Sequence, residues 1–320
     1  MKVLITGGTG FIGYHLGEFL SNNECNVTLV DNLSKAPLDD DALALVARPN
    51  VSFTQIDLSD RNEVSKLDKD FTHIVHFAAL LGVQNVLKNS FDVLKLNAEL
   101  VVNVIELAEQ QENLKQFLFA STSEIYAGTL EAGYLEIPSP ETSQLVLPKL
   151  ESPRTSYMLS KIYGEALCHH SNLPYTILRP HNIYGPRMGM RHVIPELLRK
   201  ACLNEAQAVE VFSMQHSRTF CYVTDAVNMI FKLMKSKDAI GQTFNIGNQG
   251  PEIKMGDLAD LIINVVSKDL AIIDMGTTQG SPERRAPKMT RLESLTGYKS
   301  EVTLRDGIQK CEEWYRANVF

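Results

Sequence analysis

The sequence has little of what marks a metal-binding, nucleic-acid-binding or membrane-spanning protein. Five of its 320 residues are cysteines, and they are scattered, with no Cys-x-x-Cys pair and no zinc-like spacing. Lysine and arginine number 31 against 38 acidic residues, so no basic excess favours nucleic acid or an anionic membrane. No apolar run approaches the roughly 18 residues of a membrane span, and the chain enters a predicted strand too early for a signal peptide. We therefore expect a cytoplasmic protein with reduced thiols and no metal, nucleic-acid or membrane partner.

A glycine-rich loop follows the first apolar run, Val3-Leu4-Ile5. The loop reads Gly7-Gly8-Thr9-Gly10-Phe11-Ile12-Gly13, and Asp31 closes a second apolar run 18 residues later. Glycine is required where a strand turns sharply into a helix whose first amides face a pyrophosphate. A carboxylate at Asp31 accepts both ribose hydroxyls and repels a 2′-phosphate. The spacing therefore predicts a dinucleotide site that prefers NAD to NADP.

Short β-branched segments alternate with amphipathic helical segments along the chain, which is typical of a parallel sheet with helices on both faces. Helices are predicted for residues 97–110 and 156–170, and a long irregular excursion for 130–153. We therefore expect an α/β protein with a doubly wound parallel sheet (Rossmann) and a smaller C-terminal α/β domain. The predicted sheet strands are Val3–Ile5, Val27–Val30, Val51–Gln55, His73–His76, Phe117–Ala120 and Tyr175–Leu178.

Two clusters carry residues suited to acid–base chemistry. Tyr157 and Lys161 are four residues apart, so both project from one face of a helix. An ammonium and a nicotinamide cation nearby stabilise a phenolate, which lets Tyr157 take a proton from a sugar hydroxyl as hydride leaves the same carbon. The hydroxyl-rich segment Ser121–Tyr126 follows a predicted strand, so it lies at the sheet edge where ligands bind in such folds. Thr122 is placed there to hydrogen-bond the reacting oxygen.

At this point the chain resembles the extended short-chain dehydrogenase/reductase superfamily, and within it the NAD-dependent nucleotide-sugar epimerases and dehydratases. The likeness covers nearly the whole chain, and two positions depart from the family pattern: Thr219 replaces an Asp, and Lys288 replaces an acidic residue. The matching motifs are Gly7–Gly13, Asp31-Asn32, Asp57-Leu58, His76–Ala79, Asn97, Ser121–Tyr126, Tyr157–Lys161, Arg179–Pro186, Arg218–Asp225 and Ser281–Pro287.

The resemblance implies a role for each matching residue. Asp57 and Leu58 flank the adenine, Ala78 and Ala79 line the cofactor path, and Lys161 also holds the nicotinamide ribose. The implied catalytic residues are Thr122, Ser123, Glu124, Tyr157 and Lys161. The implied NAD-binding residues are Gly7, Gly10, Phe11, Ile12, Gly13, Asp31, Asn32, Asp57, Leu58, Ala78, Ala79, Asn97, Tyr157, Lys161 and Pro180. The implied contacts to a nucleoside diphosphate sugar are Asn182, Val193, Arg218 and Arg285. The two arginines suit this role because a guanidinium fork matches phosphate oxygens.

The resemblance also implies a division of the chain and an assembly. Residues 1–180, with about 219–242, form the NAD-binding domain, and residues 181–218 and 243–320 form the substrate-binding domain. Relatives dimerise by packing two helices per subunit into a four-helix bundle. A homodimer through the 97–110 and 156–170 helices is therefore expected.

The family shares an oxidation of a sugar C4 hydroxyl to a ketone and diverges afterwards. A UDP-sugar 4-epimerase needs no further acid, since the ketone only rotates in the site and takes hydride on its opposite face. This reaction is favoured. Thr122-Ser123-Glu124 also resembles the motif of UDP-glucuronate decarboxylases, with Glu124 placed to handle a proton at C5 or C6. A 4,6-dehydratase normally carries Asp at the place of Ser123. An NAD-binding sensor without turnover is the non-enzyme alternative, against which the intact Thr122, Tyr157 and Lys161 argue.

Overall fold

The structure is a computed structural model that describes residues 1–203, 207–278 and 281–320. The chain divides into two compact units. Unit 1 comprises Met1–Tyr134, Ser143–Pro180 and Val227–Phe244, and unit 2 comprises Leu135–Thr142, His181–Ala226 and Asn245–Phe320. Compared with the expected domains, residues 135–142 and 219–226 lie in unit 2, and residues 243–244 lie in unit 1.

The elements follow the predicted alternation of strands and helices. The strands of the main sheet are β1 (Lys2–Thr6), β2 (Asn26–Asp31), β3 (Val51–Gln55), β4 (His73–His76), β5 (Gln116–Ala120), β6 (Tyr175–Pro180) and β11 (Gln242–Ile246). The shorter strands are β7 (Ile183–Tyr184), β8 (Ala208–Val211), β9 (Ser217–Arg218), β10 (Cys221–Tyr222), β12 (Ile253–Lys254), β13 (Ala271–Asp274) and β14 (Arg284–Arg285).

Helices connect these strands. They are α1 (Phe11–Asn22), α2 (Asp40–Val46), α3 (Arg61–Val64), α4 (Val83–Lys88), α5 (Ser90–Glu109), α6 (Ala127–Glu131), α7 (Pro153–His170), α8 (Val193–Leu203), α9 (Val223–Met234), α10 (Met255–Val266), α11 (Thr290–Thr296) and α12 (Leu304–Asn318). Short 3-10 helices span Ser123–Tyr126 and Lys237–Ala239. Within the described residues, no helix is both long and apolar enough to cross a membrane.

The main sheet has seven strands in the order β11-β6-β5-β4-β1-β2-β3. Neighbouring strands from β3 to β6 pair in parallel. The bonds from Gly241 N to Tyr175 O and from His181 N to Ile246 O place β11 beside β6 in the same direction. The strand order reverses at β1, and ligands bind at the carboxyl ends of the strands next to such a reversal. The predicted doubly wound α/β fold is confirmed.

The core of unit 1 explains why these segments form a parallel sheet. Val3, Leu4 and Ile5 are all fully buried, as expected for a strand covered on both faces. One cluster of buried apolar side chains joins the sheet to α5 and α7. Helix α7 approaches β5 so closely that a Cβ added at Gly164 would lie 2.3 Å from the Phe119 ring. This close packing fixes the position of α7 along β5, near the carboxyl end of that strand.

Unit 2 contains small sheets with the orders β10-β7, β12-β9-β14 and β13-β8. Ser139 forms a bridge with Pro287, and Asn245 donates to the Ser139 carbonyl at 2.9 Å, which explains why residues 135–142 belong to this unit. The buried Asp225 carboxylate accepts hydrogen bonds from the Tyr298 hydroxyl at 2.7 Å and from the amides of residues 301 and 302, both at 3.1 Å. Asp225, part of the Arg218 motif, thus ties residues 219–226 to the C-terminal part of the chain.

Candidate active site

Most of the sequence-predicted site residues of unit 1 lie at one edge of the main sheet, at or after the carboxyl ends of its strands. Gly7 follows β1, Asp31 ends β2, Ala78 follows β4, Thr122 follows β5 and Pro180 ends β6. Asp57 and Leu58 follow β3 in the same way. Parallel strands therefore bring residues that are more than 150 positions apart in sequence to a common edge.

The glycine loop forms a turn that side chains would block. Gly7 adopts a φ of +65°, and a Cβ there would lie 2.9 Å from the Ala78 nitrogen. A Cβ at Gly13 would lie 2.2 Å from the Gly7 carbonyl oxygen. Gly10 directly precedes α1 at the N-cap position and, having no side chain, provides no cap for the first amides of that helix. Phe11 and Ile12 add no acidic group there, so this cradle of bare amides fits the pyrophosphate of a dinucleotide.

Asp31 lies against the glycine loop. Its Oδ2 atom accepts from the Thr9 amide at 3.3 Å and its Oδ1 atom from the Leu33 amide at 3.0 Å. Asn32 is exposed, and its side chain accepts from the Ser34 amide at 3.0 Å. The Asp31 side chain therefore bonds the glycine loop, whereas the Asn32 side chain bonds the backbone two residues further along the chain.

Asp57 and Leu58 differ in exposure. The Asp57 carboxylate accepts from the Ser59 amide at 2.9 Å and the Ser59 hydroxyl at 2.8 Å, and the residue is exposed. Leu58 is buried, and the Asn103 side chain donates to its carbonyl at 2.9 Å. This turn is therefore rigidly held at the carboxyl end of β3.

Asn97 holds the loop that follows β4. Its Oδ1 atom accepts from the Leu80 amide at 2.7 Å, and its Nδ2 atom donates to the Leu80 carbonyl at 3.0 Å. It is buried, whereas Ala78 and Ala79 on the loop are half-buried. Since both ends of the amide bond Leu80, the Asn97 side chain positions this loop.

Thr6 is a site residue that the sequence reasoning missed. Its hydroxyl accepts from the Ala78 amide at 3.2 Å and lies 2.8 Å from Nδ1 of His76. Burial lowers the pKa of His76 to about 3, so the ring is neutral at physiological pH. The sequence signal for this Thr6–His76 interaction is a hydroxyl residue at the end of the strand before a glycine loop. A histidine ends the neighbouring strand at the paired position.

Tyr157 and Lys161 lie on one face of α7, beside the end of β5. Lys161 is buried, and its Nζ atom donates to the Ala120 carbonyl at 2.8 Å. The same Nζ atom lies 5.1 Å from the centroid of the Phe119 ring and 5.8 Å from that of Tyr157. The helical spacing thus brings the ammonium and the phenol together at the edge of the sheet.

The pKa values of the two groups are displaced in opposite directions. Burial lowers the pKa of Lys161 from 10.5 to about 8, with the Glu165 carboxylate acting against this change. Burial and the charge of Glu124 raise the pKa of Tyr157, while a hydrogen bond with the Thr122 side chain lowers it. These surroundings keep the phenol protonated in the absence of the nicotinamide cation, which the sequence-based expectation requires together with Lys161.

Thr122, Ser123 and Glu124 form the turn after β5. The Thr122 hydroxyl accepts from the Glu124 amide at 3.2 Å and caps the 3-10 helix that begins at Ser123. Ser123 is buried, and Glu124 is close enough to Tyr157 for its charge to affect the phenol. The structure thus brings Thr122, Glu124, Tyr157 and Lys161 together.

Unit 2 holds the four residues expected to contact a nucleotide sugar. Arg285 on β14 pairs in register with Arg218 on β9, so the two arginines are cross-strand neighbours. Arg218 donates to the Ser281 hydroxyl at 3.1 Å and the Pro282 carbonyl at 2.5 Å. Asn182, with a φ of +42°, donates to the Thr219 carbonyl at 2.9 Å, and Val193 begins α8 and is exposed.

The two arginines supply two positive charges on neighbouring strands, and guanidinium groups suit an anionic ligand. In the part of the chain that the structure describes, no group of three or more His, Cys, Asp or Glu side chains could hold a metal ion.

Comparisons with known proteins agree with this geometry. The model of the NAD dependent epimerase/dehydratase family matches residues 3–247. The UDP-N-acetyl-alpha-D-glucosaminuronate decarboxylase of Bacillus cytotoxicus is 29% identical, with 98% of each chain covered. UDP-glucuronic acid decarboxylase 5 of Arabidopsis thaliana is 28% identical over 100% of this chain and 90% of its own.

Among solved structures, the UDP-glucose 4-epimerase of Thermotoga maritima shares the fold, with a TM-score of 0.85, 24% identity and 100% of both chains covered. The family match covers more than half of the chain. The glycine loop and the Tyr157–Lys161 pair both lie at the carboxyl edge of the main sheet. The chain therefore belongs to the NAD dependent epimerase/dehydratase family and is an NAD-dependent enzyme.

Proposed function

We propose that the protein is a nucleotide-sugar 4-epimerase that acts on a UDP-sugar through transient oxidation of the C4 hydroxyl. The observation that carries this proposal is the assembly of Thr122, Tyr157 and Lys161 at the end of β5, at the same sheet edge as the glycine loop. NAD, when bound, supplies a hydride acceptor and a cationic ring. The residues of the chain move the proton and hold the sugar.

Tyr157 is the proposed base and acid. It accepts the proton of the C4 hydroxyl as the carbon is oxidised and returns a proton when the carbon is reduced. In the free protein, burial and Glu124 keep the phenol protonated, because they raise its pKa. The Thr122 hydrogen bond opposes this effect, and the Lys161 nitrogen lies 5.8 Å from the ring centroid. The phenol therefore ionises only when further positive charge arrives, which ties base formation to cofactor binding.

Cofactor binding is assigned to the residues at the sheet edge. The amides after Gly10 would hold the pyrophosphate, and Asp31 would accept the hydroxyls of the adenosine ribose. Asp57 and Leu58 would border the adenine, and Lys161 would donate to the nicotinamide ribose. Asn97 is assigned an indirect role, because both of its amide atoms bond the Leu80 backbone.

Recognition of the nucleoside diphosphate is assigned to unit 2. The register pairing makes Arg218 and Arg285 cross-strand neighbours, which supports their joint assignment to the two phosphates. Asn182 and Val193 complete the proposed contacts. Replacement of Arg285 by Met is expected to raise KM for the nucleotide sugar more than it lowers kcat.

Decarboxylation of a UDP-uronic acid is the second candidate, and Glu124 is the observation that favours it. An epimerase needs no carboxylate beside the phenol, yet the charge of Glu124 raises the pKa of Tyr157. Oxidation at C4 of a uronic acid gives a β-keto acid that loses carbon dioxide readily, after which C5 needs a proton. The two decarboxylases described above, which are among several such relatives, support the same candidate function.

A product assay separates these reactions. Purified protein is incubated with NAD and a panel of UDP-, GDP-, CDP- and dTDP-sugars, including uronic acids, and products are followed by mass and sugar NMR. A new stereoisomer of unchanged mass indicates the epimerase, loss of carbon dioxide the decarboxylase, and loss of water a dehydratase. The absence of any product with every UDP-sugar would refute the proposal.

We also propose that two copies of the chain associate through α5 and α7. These helices pack side by side in unit 1. Phe91 on α5 is 75% exposed and Tyr163 on α7 is 42% exposed, which leaves apolar surface on this helix pair. Sedimentation of the wild type against a Phe91→Glu variant tests this assembly, and a wild-type monomer would refute it.

A further inference from the structure

A buried ion pair lies behind the proposed catalytic residues in unit 1. The Arg179 guanidinium donates from Nε to Glu165 Oε1 at 2.9 Å and from Nη2 to Glu165 Oε2 at 2.7 Å. Its third nitrogen, Nη1, donates to the Tyr126 hydroxyl at 2.8 Å. The side chains of Arg179 and Glu165 are each 6% exposed. The three groups, which we term the Arg179 link, therefore interact away from solvent.

The Arg179 link joins three elements that meet at the site. Tyr126 ends the 3-10 helix that Thr122 caps, and this helix carries Glu124. Glu165 lies on α7, four residues after Lys161 and eight after Tyr157. Arg179 lies on β6, whose neighbour β5 leads into Thr122.

The link closes a ring of contacts around the proposed base. On one side of the ring, Lys161 donates to the Ala120 carbonyl at 2.8 Å, and Thr122 hydrogen-bonds Tyr157. On the other side, Glu165 and Tyr126 are held together by Arg179. The turn that bears Thr122 is thus bonded to α7 at two separated places. Two attachment points fix both the distance of the turn from α7 and its orientation relative to that helix.

Stability alone does not account for such an arrangement. Burying two charges costs desolvation energy that their attraction roughly repays, and apolar side chains of similar volume often stabilise a fold at least as well. A bidentate guanidinium–carboxylate pair instead fixes planar geometry. Its third bond here reaches a residue of the catalytic turn, so the fixed geometry is transmitted to that turn.

We propose that Glu165, Arg179 and Tyr126 are positioning residues that set the placement of Thr122 against Tyr157. This inference rests on the proposed function, because it concerns the same site. None of the three residues is assigned a contact with substrate. They act by holding the turn of residues 122–126 against α7.

Tyr126→Phe is the variant that tests the link, because it removes one hydrogen bond and keeps the ion pair. We expect kcat to fall about tenfold, as for the loss of one hydrogen bond to a charged group, with KM and NAD affinity unchanged. Tyr175→Phe is the matched control. It removes the 2.7 Å bond to His169 at the opposite end of β6 and should leave kcat at the wild-type value.

A double-mutant cycle with Thr122→Ala separates positioning from folding. If the link acts through Thr122, Tyr126→Phe should lower kcat less than about twofold in the Thr122→Ala background. If the fold-losses in kcat of the two single variants multiply in the double variant, the two residues act independently and the proposal is overturned.

Amide hydrogen exchange gives a readout that needs no turnover. The Glu124 amide, which bonds Thr122 Oγ1 at 3.2 Å, should exchange faster in Tyr126→Phe and at the wild-type rate in Tyr175→Phe. Unchanged exchange at Glu124 in Tyr126→Phe would refute the link even if the enzyme acts on UDP-sugars. Failure of the wild type to convert any UDP-sugar would refute the proposed function and leave the exchange result to decide the link.

Discussion

Replacing Lys161 by Met should make the NAD-free protein more stable while removing its activity. Burial lowers the pKa of Lys161 from 10.5 to about 8, so the fold holds the ammonium less well than water does. Because a tenfold change in acidity corresponds to about 1.4 kcal/mol, the charged side chain costs the fold about 3 kcal/mol below its folded pKa. Losing the bond to the Ala120 carbonyl offsets about 1 kcal/mol of the gain. The expected net stabilisation is about 2 kcal/mol at about pH 7.

The pH dependence gives this prediction a defined sign. Between the folded pKa of about 8 and the ordinary value of 10.5, the unfolded chain keeps the proton that the folded protein has released. The free energy of unfolding of the wild type therefore rises through this window relative to that of Lys161→Met. The advantage of the variant should shrink as the pH rises above about 8 and vanish within the window. At its upper end the variant should be less stable by about 1 kcal/mol, because only the lost bond to the Ala120 carbonyl then counts.

Urea unfolding followed by circular dichroism at several pH values measures the difference. Lys66→Met is the control, because Lys66 is exposed and its loss should change the free energy of unfolding by less than about 0.5 kcal/mol. A Lys161→Met variant that is less stable than the wild type, or whose advantage does not depend on pH, would refute the reasoning.

Four further outcomes are expected. Tyr157→Phe should lower kcat by about 10³-fold with NAD and substrate binding retained, measured by product formation and calorimetry, whereas Tyr163→Phe on the exposed side of α7 should not. Gly13→Ala should abolish the rise in melting temperature that NAD produces, because its Cβ would lie 2.2 Å from a backbone oxygen. Asp31→Ser should reduce the preference for NAD over NADP in binding titrations, and an unchanged ratio would contradict the role of the carboxylate. Glu124→Gln should move the acidic limb of the pH–rate profile to lower pH, because the charge of Glu124 raises the pKa of Tyr157, and a shift to higher pH would contradict that cause.

The matched control for Gly13→Ala is Gly189→Ala. A Cβ at Gly189 makes only an ordinary contact of 3.7 Å with the His192 ring. The Gly189 variant should therefore keep the full NAD-induced rise in melting temperature. If both variants lose it equally, the close approach of Gly13 to Gly7 is not the reason.

The main sheet was predictable where strands are continuously apolar. Val3–Ile5 and Phe117–Ala120 lie within β1 and β5, since strands buried on both faces leave an unbroken apolar signature. The seventh strand, Gln242–Ile246, was missed because it contains Thr243 and the fully buried Asn245. The Asn245 amide is satisfied by the carbonyl of Ser139, more than 100 residues earlier, and no local pattern reports such a partner.

The placement of Tyr157 beside Lys161 was predictable from the sequence, and the electrostatics of the two groups were less so. The four-residue spacing of Tyr157 and Lys161 fixes a shared helix face, as the 5.8 Å contact bears out. Their pKa values depend on burial and on Glu124, which only the packed structure provides. Glu165 extends the same spacing by one turn, and this could have been read from the sequence. Its partner Arg179 lies on another element, so the ion pair between them could not have been predicted from the sequence.

The most direct test of the central claim follows the hydrogen at C4. Protein and NAD are incubated with a UDP-sugar that carries deuterium at C4, and the product is analysed by NMR and mass spectrometry. If Tyr157 removes the hydroxyl proton while hydride leaves and returns to the same carbon, the product keeps its deuterium at C4, and Tyr157→Phe forms almost none. Loss of the deuterium to solvent, or wild-type product formation by Tyr157→Phe, would contradict the account.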